Sequence, residues 1–177
     1  MKLLILYFLL LIPRPLFNED GLIVMLTEYY TFASIHVQEI SVDTNILTNY
    51  KVEGRFFKVT DDSIFLGYAY QGKVLTCKNK GCDDPNGEMV NSAYEFLEYR
   101  MILSIDKKVE QLDIFNYQST HGASITNQWW LKQFKGYDGR SIEYGYDIDG
   151  VSGATTSGVA FTYNVELVLK IFKEHIK

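Results

Sequence analysis

The chain has 177 residues, 47% of them hydrophobic and 15% aromatic, and a formal net charge of −5. That length fits one domain, and the apolar content supplies a core, which excludes a disordered chain. Net negative charge without a Lys/Arg run excludes the electrostatic footprint of a nucleic-acid binder.

Met1-Lys2 and the apolar run 3–12 form a short basic start and a hydrophobic stretch, ended by Pro13-Arg14-Pro15. The run matches a signal-peptide core better than a membrane span, which needs about 20 apolar residues. Residues 1–20 are therefore expected to be a signal or anchor segment. Export to the periplasm or the outer face of the cytoplasmic membrane follows, with membrane association through this segment if it is retained. An ordinary buried first helix is the competing reading.

Residues 21–97 form the N-terminal part of the domain, with a helix and a strand expected somewhere in 27–50. His36 alternates with Ile35 and Val37 and should face solvent; His175 stands in the last charged turn of the chain. Neither has the partners of a metal ligand. Runs 55–60 and 63–70 flank Asp61-Asp62 as a β-hairpin. Cys77 and Cys82 are too few for a zinc site; in an exported chain they would close a small disulfide loop, with a redox-active pair as the competing reading. Asp83-Asp84-Pro85-Asn86-Gly87 is a turn by composition.

A second hairpin is expected from strands 98–105 and 109–117, with Met101, Leu103, Ile105, Leu112 and Ile114 on its buried face. A short helix over 126–134 holds Trp129 and Trp130, and Gly136 stops it. A last strand is expected over 141–146. Phe161, Val165, Val168 and Phe172 then recur at helical spacing and predict an amphipathic helix over 159–173. Strands followed by a short helix, a strand and a long helix give an α+β fold, an antiparallel sheet with helices packed against it.

Small and hydroxylated residues crowd into Asp149-Gly150-Val151-Ser152-Gly153-Ala154-Thr155-Thr156-Ser157-Gly158, just ahead of that helix. Ser and Thr are preferred helix caps, and a helix start offers free N–H groups and a positive dipole end to a phosphate. Gly153 and Gly158 are spaced as in a P-loop, but Val159-Ala160 stand where Lys-Ser/Thr is required. The glycines around Ser152 are also wrongly spaced for a nucleophile elbow. A phosphate site remains, against the plainer reading of a Gly-rich loop that caps a helix and binds nothing.

Asp149-Gly150-Val151-Ser152-Gly153-Ala154-Thr155 resembles the D-x-x-S/T-G-A-T signature of the FMN-binding domain family. That family includes the flavin subunits of the sodium-pumping quinone reductase and of Rnf-type complexes. Trp130-Leu131-Lys132-Gln133-Phe134-Lys135-Gly136 is similar to the short helix that precedes the signature. Tyr117-Gln118-Ser119-Thr120-His121-Gly122 sits where many members have a strand end and a loop that often carries an acid, absent here. The resemblance covers about residues 98–177 and implies an FMN-binding region.

It also implies that a flavin transferase joins FMN through its phosphate to Thr155, making the chain an electron carrier rather than a free-standing enzyme. Redox partner proteins or a quinone-linked membrane complex would be its partners. Ser152, Gly153, Ala154, Thr156 and Ser157 become candidate phosphate contacts, and Asp149 a loop-shaping or transferase-recognition residue. Trp129, Trp130, Phe134 and Tyr137 are candidate walls for the flavin ring. A module of the same fold with non-covalent FMN, or with none, is the alternative.

Overall fold

A computed structural model describes residues 20–31, 34–76, 95–119 and 121–177. The segment 1–19 and the Cys77/Cys82 loop, with the turn after it, lie outside the described residues.

The chain opens with helix α1 (Asp20–Tyr30), followed by β1 (Ile35–Ile40), α2 (Thr44–Tyr50), β2 (Glu53–Asp61), β3 (Ile64–Thr76), β4 (Glu95–Leu103) and β5 (Val109–Tyr117). The five strands form one antiparallel sheet in sequence order. Both expected hairpins are present. Asp62 (φ 48°) turns the first and Lys107 (φ 61°) the second. Ile105 departs from its expected place: it falls in the β4–β5 turn and is exposed, because β4 ends at Leu103.

Successive side chains of a strand point to opposite faces, so neighbouring apolar residues feed two cores. Phe56, Tyr70, Tyr99 and Met101 face one way and meet the last helix, α4 (Thr155–His175). Phe57, Val59, Ala69 and Ile102 face the other way and meet Leu22, Met25 and Leu26 of α1. Helix α1 is therefore an integral layer of the fold, beginning where the expected leader segment ends. No helix of the described residues is long and apolar enough to cross a membrane.

The helical spacing of Phe161, Val165, Val168 and Phe172 is realised, with all four fully buried. Phe172 packs its ring 5.0 Å from Phe56 and 5.6 Å from Tyr68. The Tyr99 hydroxyl donates to Asn164 Oδ1 of α4 at 2.9 Å, so this buried polar pair is satisfied. Lys107 Nζ, in the β4–β5 turn, donates to the Ile176 carbonyl at 2.6 Å and ties the end of the helix to the sheet.

Between β5 and α4 the chain makes a 3-10 turn (Ala123–Thr126), α3 (Gln128–Leu131) and a second 3-10 turn (Lys132–Phe134). These three short pieces occupy the place of the expected single helix. The strand expected over 141–146 is absent. Gly145 N–H bonds the Ile148 carbonyl at 2.6 Å and Asp147 N–H the Glu143 carbonyl at 2.8 Å, so the chain doubles back on itself. Glu166 of α4, buried, anchors this stretch by accepting from Ile142 N–H at 3.0 Å and pairing with Lys170 Nζ at 2.6 Å.

Burial alone would raise the Glu166 pKa, but Lys170, the Ile142 N–H and Ser141 together hold it below its ordinary value. A depressed carboxylate stabilises the fold above its unfolded pKa, and that contribution disappears as pH falls through the lower folded value. Glu166→Gln should therefore cost stability at neutral pH, by about 1–3 kcal/mol. The gap from wild type should narrow below about pH 4 in urea unfolding. Leu26→Ala, which empties a fully buried position of α1, should cost about 2–5 kcal/mol in the same assay.

Candidate functional site

The start of α4 is where the sequence singled out a site, and its local geometry differs from the expected Ser/Thr cap. Ala154 occupies the cap position, and no side chain hydrogen-bonds to the helix end. Gly158 N–H is the first to bond back, to the Ala154 carbonyl at 2.7 Å. The N–H groups of Thr155, Thr156 and Ser157 are left without an intrahelical acceptor. No acidic residue stands in the first turn, so the positive dipole end is not neutralised from within the helix.

Thr155 and Thr156 are exposed, as are Ser152 and Gly153 just before them. Gly153 takes φ +74°, and a Cβ placed there would meet nothing within 4 Å. The approach to the helix start is therefore open. Ser157 and Ala154 depart from their expected roles. The Ser157 side chain turns inward, its hydroxyl 3.0 Å from the Tyr117 hydroxyl. Ala154 is buried, and its N–H already bonds the Val151 carbonyl at 3.0 Å. The Ser157 backbone N–H remains available, its hydroxyl does not.

Three side chains hold the loop in front of the helix. Trp130 Nε1 donates to the Asp149 carbonyl at 2.8 Å, and Asp149 N–H donates to Gln133 Oε1 at 2.9 Å. Val151 N–H donates to the Tyr144 hydroxyl at 2.7 Å. The Tyr144 ring then lies against Gly158, where a Cβ would come within 2.3 Å of Cε2. Asp149 is held through its backbone, and its side chain is exposed.

Trp130 is fully buried, between Phe134 and Phe161 at ring distances of 5.3 and 5.7 Å. It is a core brace rather than a wall for a ligand ring. Phe134 and Tyr137 are buried as well, whereas Trp129 is 57% exposed. Of the expected ring walls, only Trp129 presents its side chain to solvent.

The loop after β5 also reaches the helix start. The Tyr117 hydroxyl donates to the His121 carbonyl at 2.5 Å, and the backbone at Gly122 comes against Ala154. That loop carries no carboxylate of its own, but Glu95, at the start of β4, accepts from the Ser119 hydroxyl. Tyr144, Gln133, Tyr117 and Glu95 were not singled out from sequence. Gln133 and Tyr117 each had a signal, in the segments Trp130–Gly136 and Tyr117–Gly122 that resemble the family.

Three N–H groups without a partner among the described residues, exposed residues Ser152, Thr155 and Thr156, and open space at Gly153 make a set of donors suited to a phosphate. Residues 97–170 match the family model described as the FMN-binding domain. This stretch holds β4 from Leu97 onward, β5, α3, the braced loop and most of α4. No curated protein matches the chain. The match supports a flavin-binding protein with FMN as its cofactor.

The close approach of Tyr144 makes residue 158 sensitive to size. Gly158→Ala should destabilise by about 1–3 kcal/mol through overpacking, although alanine is favoured over glycine in a helix by about 1 kcal/mol. Thermal unfolding of Gly158→Ala beside Val159→Ala, an exposed neighbour, would separate the two effects.

Proposed function

With the match of residues 97–170 to the FMN-binding domain model as premise, we propose that the chain is a covalent flavoprotein that carries electrons between redox partners at the cell envelope. A flavin transferase would use FAD as donor: the Thr155 hydroxyl oxygen takes the FMN phosphorus, the pyrophosphate bond breaks and AMP leaves. The observation that supports this most is an exposed threonine hydroxyl on the first residue of an uncapped helix.

FMN supplies the redox chemistry; the protein supplies attachment, orientation and tuning. Thr155 is the acceptor hydroxyl and a substrate of the transferase rather than a catalyst. The N–H groups of Thr155, Thr156 and Ser157 would hold the phosphate oxygens, helped by the dipole of a 21-residue helix. Ser152 and Thr156 add exposed hydroxyl donors. Asp149, whose charge opposes a phosphate, shapes the loop through its backbone bonds to Trp130 and Gln133. Of the expected ring walls, Trp129 is the one left exposed to lie against the flavin ring.

Attachment through phosphorus would keep the cofactor on the protein outside the cytoplasm, where a dissociable flavin would be lost by dilution. This agrees with the leader-like segment 1–20 and with redox partner proteins or a quinone-linked membrane complex as the setting.

Co-expression with a flavin transferase should add the mass of one FMN, less one water, to the intact protein. Thr155→Ala should abolish the added mass while keeping the fold, since the residue is exposed. Thr156→Ala should retain it. An unmodified wild-type chain under conditions that flavinylate a known substrate of the transferase would overturn the covalent reading.

A further inference from the structure

A cleft of about 390 Å³ opens between α1, the edge strand β5 and α3. Gln128 and Leu131 turn one face of α3 toward it, joined by Lys132 of the following 3-10 turn, while Trp130, on another face, reaches Asp149. The cleft is thus separate from the start of α4, with α3 between the two.

Its floor is apolar, made by the buried Val109, Leu112 and Leu131. Its rim is polar, and a break in the strand pairing builds it. The β4–β5 register passes from Ile102↔Gln111 to Leu103↔Val109, leaving Glu110 with no residue opposite. A bulge of this kind at a sheet edge re-aims the extra side chain. The Glu110 carboxylate accepts from the Tyr29 hydroxyl at 3.0 Å and pairs with Lys135 Nζ at 3.3 Å. Burial, and then Glu110, pushes the Tyr29 pKa up to about 12, so this hydroxyl stays a donor.

Lys135 offsets Glu110, which leaves Lys132 as the uncompensated charge of the cleft. Lys132 is exposed and has no carboxylate partner among the described residues. A positive opening over an apolar floor, in a chain of net charge −5, selects for one kind of ligand. Volume and lining fit the lower end of small-molecule sites, which run from about 300 to 1,000 Å³.

We propose that this cleft binds a small organic monoanion with an apolar ring, its body on Val109, Leu112 and Leu131 and its anionic group at Lys132. The site goes beyond flavin binding and does not depend on it.

The test uses the full chain and anilinonaphthalene sulfonate, an aromatic monoanion whose fluorescence rises in an apolar site. Saturable binding of one probe per chain is expected, weakened about tenfold in Lys132→Met through loss of a charge-assisted contact. Gln111→Trp, which fills the cleft, should abolish binding, and Thr155→Ala should leave it unchanged. Unfolding midpoints equal to wild type would show that both cleft variants fold. No saturable binding overturns the proposal, as does equal affinity for the uncharged phenylnaphthylamine analogue. Affinity unchanged in both cleft variants overturns it too.

Discussion

The apolar stripe of α4 against the five-stranded sheet is the contact on which the rest of the structure depends. Phe161, Val165, Val168 and Phe172 are fully buried there, each position adding roughly 1.5–3 kcal/mol. A helix docked along that stripe has no freedom to rotate or slide, since a small turn would bring Tyr163 or Lys173 toward the core. Its first turn is therefore fixed in place by side chains further along the chain. Thr155 is exposed because it lies off the buried face, which runs from Ala154 through Gly158 to Phe161 and Val165.

Periodicity made this much legible before any coordinates. Two hairpins, the buried face of Met101, Leu103, Leu112 and Ile114, and the long helix all follow from alternation in strands and from helical spacing. What periodicity could not carry was the irregular stretch between Phe134 and Thr155. Ser141-Ile142-Glu143-Tyr144 has strand-like composition, yet Glu166 of α4 captures Ile142 N–H, and Asp147 Oδ2 accepts from Glu143 N–H at 2.9 Å. Such side-chain bonds compete with a sheet ladder and are invisible to a pattern of apolar residues.

The same limit applies to the site. Crowding of Gly, Ser and Thr drew attention to residues 149–158, but composition could not tell inward from outward hydroxyls. Ser157 and Thr156 are neighbours of similar chemistry, and a single residue step around the helix, about 100°, sends the first toward Tyr117 and the second to solvent. Trp129 and Trp130 divide in the same way, one exposed and one buried beneath the loop. The braces are long-range: Gln133 lies sixteen residues from Asp149 and Trp130 nineteen. Only the fold brings them together, and together they hold open a helix end that most helices close with a cap.

That uncapped end makes the chemistry coherent. A capping side chain would take one of the N–H groups that a phosphate needs, and an acid in the first turn would oppose it. Phosphorus NMR of the flavin-loaded protein tests the central claim most directly. A phosphate bonded to both the flavin chain and the Thr155 oxygen is a diester without a second ionisation. Its resonance should couple to the Thr155 β-proton and stay fixed between pH 5 and 8. A resonance that shifts with an apparent pKa of about 6, as a phosphate monoester does, and shows no coupling to Thr155 would contradict the account.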